Sequence, residues 1–254
     1  MRGRRRALKE EIDYWEGWLA TRGGRYADGF AYLFDPNSEV GDSALRAVLA
    51  GLNKGEQGTA SILDVGAGPA STVGQRFCGR PVVVTAVDPL ADDYRPLLLE
   101  YGLEPPVWTE RLEGERLVER FGRERFDVAY ARNALDHAVD PVAIVENMLE
   151  VVRRGGYVVL RHVRNEAVRQ EYTQLHQWNF DERAGELVVW RPDEEISISE
   201  RLVPETVSCH VEANDTWVIV VIAKLRHIPA DILAAMREPW SEAFDFSAQI
   251  ALKP

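Results

Sequence analysis

Residues 62–68, Ile-Leu-Asp-Val-Gly-Ala-Gly, constrain this chain more than any other stretch. The run Ile62–Val65 is short and mostly apolar, as a buried strand should be. Gly66 and Gly68 then allow a sharp turn and a close approach of backbone to a ligand. A second apolar run, Pro81–Val87, is rich in β-branched residues and ends on Asp88, twenty residues past Gly68. Strand, glycine turn, helix and a second strand closing on a carboxylate form a unit in which the acid accepts both ribose hydroxyls of a nucleoside. The combination points to an adenosine-containing cofactor. The third glycine of a dinucleotide fingerprint would fall at Ser71, and Asp64 places an acid two residues before the turn. A pyrophosphate has little use for that acid, whereas a cofactor with a positively charged amino group does.

The alternation continues downstream. Asp92–Tyr101 reads as a helix and Phe126–Ala131 as a strand. The next helix has Asp140 as its cap, Pro141 in its first turn and a buried stripe of Ile144, Val145, Met148, Leu149 and Val152. Arg153 and Arg154 suit its C-terminal dipole, Gly155 and Gly156 end it, and Tyr157–Leu160 is a strand. This rhythm predicts an α/β fold with a doubly wound parallel sheet. Helices over 7–21 and 42–52 precede it, separated by an irregular aromatic stretch at 25–36. After residue 163 the pattern changes to a helix over 164–177 and four short strands at 186–191, 195–200, 206–212 and 216–225. The last two flank Ala213-Asn214-Asp215 and should pair antiparallel. A short helix near 229–237 and an irregular tail follow. The expected organisation is an N-terminal helical lid (1–58), a core with substrate-side additions after 163 (59–225) and a C-terminal tail (226–254).

Charge narrows the range of partners. Lys and Arg number 30 against 41 Asp and Glu, a net charge of −11, which suits neither nucleic acid nor anionic lipid. Five basic residues, Arg2, Arg4, Arg5, Arg6 and Lys9, crowd the start and read as a solvated, frayed terminus. No apolar segment follows them as in a secretory signal, and no run approaches the ~18 apolar residues of a membrane span. Cys78 and Cys209 form neither a CxxC pair nor a metal spacing, so a free-thiol cytoplasmic protein is expected.

Asp64-Val65-Gly66-Ala67-Gly68 resembles motif I of the class I S-adenosylmethionine-dependent methyltransferases, an acidic residue followed by GxGxG. Asp88-Pro89-Leu90 resembles motif II, and Glu113-Gly114-Glu115-Arg116-Leu117 is similar to the loop after the family's third strand. Phe126 to His137 resembles motif IV with its trailing leucine, any residue, histidine, and Val151 to Tyr157 looks like the Gly-Gly turn into strand five. The match spans roughly residues 60–162. Ala70 stands where many members carry a third glycine. The resemblance, closest to bacterial small-molecule enzymes, implies a mostly parallel seven-stranded Rossmann-like sheet. It also implies S-adenosyl-L-methionine as cofactor. Asp64, Gly66, Ala67 and Gly68 would meet its methionine end. Asp88 would bind the ribose, Pro89, Glu113 and Gly114 the adenine, and Asn133 would lie alongside.

Methyl transfer needs an acceptor held in line with the departing sulfur, and a hydroxyl acceptor needs a base. Histidine suits that work near neutral pH. His137, beyond strand four, is the first candidate, followed by His162 at the end of strand five and His176 in the cluster Leu175–Phe180. Asp136 and Trp178 are expected to touch the acceptor, and Tyr26 to close a lid over it. The hairpin around 186–200 would wall the pocket or form a dimer edge. Arg132-Asn133-Ala134-Leu135 is not the Asn-Pro-Pro-aromatic motif of nucleic-acid amino-methylating enzymes. The acids of catechol-type, metal-dependent enzymes are absent after strand four, so no metal is implied. The expectation is methylation of a small molecule, at oxygen rather than nitrogen. The alternatives are a cofactor-binding scaffold without activity and, behind it, a nicotinamide-dependent oxidoreductase. Oligomeric state stays open, with a homodimer among the options.

Overall fold

The computed structural model describes residues 2–52, 58–202, 207–224 and 228–236. Helices α1 (Arg2–Ala20), α2 (Ala27–Phe34) and α3 (Ser43–Gly51) precede strand β1 (Ser61–Val65). A two-residue hairpin, β2 (Arg76–Phe77) and β3 (Arg80–Pro81), leads to β4 (Val83–Asp88), α4 (Ala91–Glu100), β5 (Glu110–Arg111) and α5 (Leu117–Phe121). Then come β6 (Phe126–Arg132), α6 (Pro141–Val151), β7 (Val152–Val163) and α7 (Glu166–Arg169). The chain continues through β8 (Asn179–Arg183), β9 (Glu186–Arg191), β10 (Glu194–Ser197) and α8 (Ile198–Arg201) to β11 (Val207–Ala213), β12 (Trp217–Lys224) and α9 (Ala230–Met236).

Seven strands form one sheet in the order β11-β12-β7-β6-β1-β4-β5. The five from β5 to β7 run parallel, and β12 and β11 add antiparallel pairs at the far edge. This is the doubly wound, Rossmann-like methyltransferase sheet. Side-chain alternation along each strand divides the core between its two faces. Ile62, Val128, Tyr130 and Val159 cluster with Leu45 and Val48 of α3 and Ile232 of α9. Their sequence neighbours Leu63, Ala129, Val158 and Leu160 cluster with Val145 and Met148 of α6. The chain order reverses at β1, which pairs with β4 on one side and β6 on the other. Such a switch point opens a crevice at the carboxyl ends of the strands.

Several expectations change. The basic start is not frayed: it is the first part of α1, where Arg6 pairs with Glu10 and Lys9 with Asp13 one turn on. Such i,i+4 pairs support the helix modestly. Residues 27–34, expected to be irregular, form α2.

The helix expected directly after the glycine turn is absent from the described segment between β1 and β4. Pro69, Gly74, Gly79 and Pro81 interrupt those residues, and no helical stripe replaces them. The segment is braced instead by the N-terminal region. Tyr32 Oη donates to the Glu39 and Thr72 carbonyls, and Gln75 N and Arg76 N donate to Ser38 O.

The helix expected over 164–177 shrinks to the four residues of α7. Asn165, Glu171, Tyr172 and Gln174 all adopt left-handed backbone, which breaks helical continuity. Arg153 and Arg154 belong to β7, not to a helix end. The 186–200 hairpin is part of a three-stranded sheet, β10-β9-β8, whose Phe180, Leu187 and Val189 join the main core. No described helix is long and apolar enough to cross a membrane. The tail beyond 236 and His227 lie outside the described residues.

Candidate active site

A cavity of about 600 Å³ opens at the switch point. Its floor is the carboxyl ends of β1, β4 and β6, reached through Asp64, Asp88 and Asn133. Cavities of roughly 300–1,000 Å³ take small ligands and cofactors.

The glycine turn is held from several sides. Gly66 N and Ala67 N both donate to Val87 O, at 2.8 and 3.1 Å, and Thr109 Oγ1 donates to Gly68 O at 3.0 Å. Gly66 has φ +73°, and a Cβ there would stand 2.3 Å from Ala134 Cβ. Gly68 has φ +64°, and its Cβ would meet the Trp15 ring at 3.3 Å. Gly66→Ala therefore combines a disfavoured φ with a collision against the Ala134 methyl group. It should cost about 1–3 kcal/mol of stability and cut cofactor affinity at least about tenfold. Denaturant melts and calorimetry with S-adenosylhomocysteine check both.

Two acids face one another across the turn. Asp88 Oδ2 accepts from Gly68 N at 3.0 Å and Oδ1 from Leu90 N at 2.8 Å. Each oxygen keeps a lone pair for a further donor. Asp64 Oδ2 accepts from Ser71 Oγ at 2.6 Å. Burial pushes both carboxyls up to about 6, against the opposing help of those donors. Two buried carboxylates with spare acceptor capacity suit a ligand bringing hydroxyls and a cationic amine. The residues thus fit the cofactor that the motifs imply.

Pro89, Glu113 and Gly114 line the same cavity, as do Gly66, Ala67 and Gly68. Asn133 lines it too, locked in left-handed backbone by its N–H to Arg161 O and its Oδ1 from Val163 N.

His137 and His176 line the same cavity. His137 sits on a 3₁₀ turn just past β6. The backbone N–H groups of Gln177 and Trp178 donate to Asp136 O, which docks the 170–178 loop and brings His176 alongside. His176 Nδ1 lies 2.7 Å from Asp136 Oδ2 and 3.1 Å from His137 Nε2. Burial works against the Asp136 carboxylate, yet the two histidines hold its pKa well below the usual range.

Other expected residues are placed elsewhere. His162 does not line the cavity. It is buried and stacked 4.1 Å from Phe180, and burial lowers its pKa to about 4, so it is neutral at working pH. Trp178 is buried in the core with the Arg191 guanidinium 4.2 Å from its ring. Asp136 is buried behind the histidines and reaches the cavity only through them. Tyr26 lies on a 3₁₀ turn with the Arg25 guanidinium over its ring and is not among the residues lining the cavity. The lid is α1 instead. Leu8, Glu11, Trp15 and Trp18 follow one another at three- and four-residue steps and line the cavity mouth. Trp15 also packs edge-on against Tyr94 of α4. The helix expected over 7–21 thus presents this side to the cavity. The 186–200 hairpin contributes nothing to the cavity wall.

One residue had no sequence signal at all. Glu166, at the start of α7, lines the cavity yet is almost completely buried. Its two carboxyl oxygens lack hydrogen bonds of good geometry, and burial raises its pKa well above the usual value, with the Asn133 side chain opposing.

A family profile described as a methyltransferase domain matches residues 18–196. The chain belongs to that family. With its motifs and fold it is a class I S-adenosylmethionine-dependent methyltransferase. No curated protein matches it. Among solved structures the methyltransferase is similar to an S-adenosylmethionine-dependent methyltransferase from Mesorhizobium loti. That pair shares 15% identity over 72% of this chain and 99% of the other, with a TM-score of 0.44. It is also similar to the 1,6-didemethyltoxoflavin-N1-methyltransferase of Burkholderia thailandensis, solved with 1,6-didemethyltoxoflavin and S-adenosylhomocysteine. Here identity is 17% over 73% of this chain and 80% of the other, with a TM-score of 0.41.

Proposed function

We propose that the enzyme methylates a small-molecule acceptor at oxygen. The observation that carries this reading is the division of one cavity between two chemistries. The buried acids Asp64 and Asp88 and the imidazoles of His137 and His176 all line that cavity. S-adenosylmethionine, when bound, supplies an electrophilic methyl group on a sulfonium.

Each protein group then has a role. Asp88 accepts the ribose hydroxyls, and Asp64 faces the cationic amine. Pro89, Glu113 and Gly114 flank the base, with Asn133 beside them. Gly66, Ala67 and Gly68 bring backbone close to the amino-acid end. Trp15 and Trp18 shut water out, and held reactants about 3–3.5 Å apart gain most of the acceleration from positioning. His137 Nε2 receives the acceptor's proton, and Asp136 through His176 fixes that ring. A cavity roofed by a helix admits a small molecule more readily than a polymer. The two described cysteines are unpaired thiols, which fits a cytoplasmic setting.

The test is saturable binding of S-adenosylhomocysteine by calorimetry, then transfer of labelled methyl to matched hydroxyl and amine compounds. Methylated ether products support the reading. Transfer only to the amines, or no cofactor binding, overturns it.

The acid pair also predicts a pH signature. The folded pKa of Asp64 and Asp88, about 6, lies above the ordinary carboxylate value of 3.8. Their protonated forms therefore favour folding at low pH, and that contribution is lost as pH rises through about 6. An amine-bearing ligand favours ionised Asp64 and offsets the loss. The melting temperature gained from S-adenosylhomocysteine should be larger at pH 7.5 than at pH 5. A gain independent of pH would refute the role given to these acids.

A further inference from the structure

We propose that Asp136, His137 and His176 form a binding site for one divalent transition-metal cation at the acceptor wall of the cavity. This departs from the expectation that no metal is involved, which rested on linear motifs alone. The site is assembled from two segments 39 residues apart, so no linear spacing announces it.

Three atoms converge: Asp136 Oδ2, His137 Nε2 and His176 Nδ1. Their separations are 2.7 Å (Asp136–His176), 3.1 Å (His137–His176) and 3.5 Å (Asp136–His137). Ligands about 2.0–2.2 Å from a cation stand about 3.0 Å apart at a right angle and about 3.4 Å apart in a tetrahedron. The observed spacings bracket those values. A point about 2.1 Å from all three atoms lies about 1 Å out of their plane. Without a cation the arrangement is under-supplied with protons. One Nδ1–H of His176 cannot point at both Asp136 and His137, and the other carboxylate oxygen, Asp136 Oδ1, is buried without a hydrogen-bond partner.

Two imidazoles and one carboxylate on one side of an ion leave further positions open, the arrangement suited to Zn²⁺, Fe²⁺, Co²⁺ or Ni²⁺ rather than Mg²⁺ or Ca²⁺. His137 and His176 both line the cavity, so the open positions face the acceptor. The inference rests on the oxygen-acceptor reading for its use, though not for the binding itself. With the site loaded, His137 Nε2 is held by the cation and takes no proton. An acceptor hydroxyl bound at an open position then loses its proton to solvent, because the cation lowers its pKa.

The full chain, freed of metal with a chelator, is titrated with Zn²⁺ by calorimetry and with Co²⁺ by visible absorption. Neither cofactor nor acceptor is present, so failure here is separable from failure of methyl transfer to oxygen. The expected result is one equivalent per chain. His137→Ala and His176→Ala should each weaken binding at least about tenfold. Both variants should bind S-adenosylhomocysteine, which shows that they fold. No binding by about 100 μM cation, or binding undiminished in both variants, overturns the proposal.

Discussion

Asp88→Ala should weaken S-adenosylhomocysteine binding by about 100-fold or more. Two ribose hydroxyls donating to one carboxylate are charge-assisted hydrogen bonds of about 1.5–3 kcal/mol each, and a factor of ten corresponds to about 1.4 kcal/mol. The variant also strips Gly68 N and Leu90 N of their acceptor, which loosens the glycine turn. Asp88→Asn separates the two contributions. It keeps one carbonyl acceptor for the turn but loses the charge, so its loss should be intermediate. Calorimetry on both variants, with thermal melts to compare their folding, decides. Undiminished affinity in Asp88→Ala would remove this residue from the cofactor site.

His137→Ala should lower the single-turnover rate by about 100-fold at saturating acceptor, the lower end of what general-base catalysis contributes. The measurement belongs to protein freed of divalent cations, where Nε2 is available to a proton. S-adenosylhomocysteine affinity should change little, because no cofactor contact is assigned to His137. Asp136→Asn should give a smaller fall, since it acts through the His176 contact at 2.7 Å rather than on the acceptor. An unchanged rate in His137→Ala, with acceptor methylation intact, would show that the proton leaves by another route.

The cofactor half of the site was readable because its determinants are local. Gly66 and Gly68 are required by positive φ, and Asp64 and Asp88 sit at strand ends where register alone carries them to one edge. Strand pattern and turn chemistry act over a few residues, so spacing along the chain becomes proximity in space. The acceptor half has no such economy. His162 and His137 each follow a parallel strand, yet β7 continues to Val163, and His162 ends stacked on Phe180 inside the core. Trp178 follows His176 by two residues and is buried, while His176 reaches the cavity. The deciding contact, backbone of the 177–178 turn on Asp136 O, joins segments some forty residues apart. The helix expected at 164–177 failed for a related reason. Four left-handed residues there serve the docking of the loop, not its local propensity.

The lid shows the division most clearly. The spacing of Leu8, Ile12, Trp15 and Leu19 predicts a helix over 7–21 with an apolar face. Which surface that face covers depends on what the rest of the chain leaves exposed. No helix follows the glycine turn, so the crevice at β1 and β4 is open to α1, and Trp15 comes to rest against Gly68. The sequence alone determined the sheet, the glycine turn and the two acids at one strand edge, because these follow from short-range periodicity and backbone sterics. Only the tertiary structure decided which helix closes the cavity and which histidines meet in it, because those depend on long-range packing that no local pattern encodes.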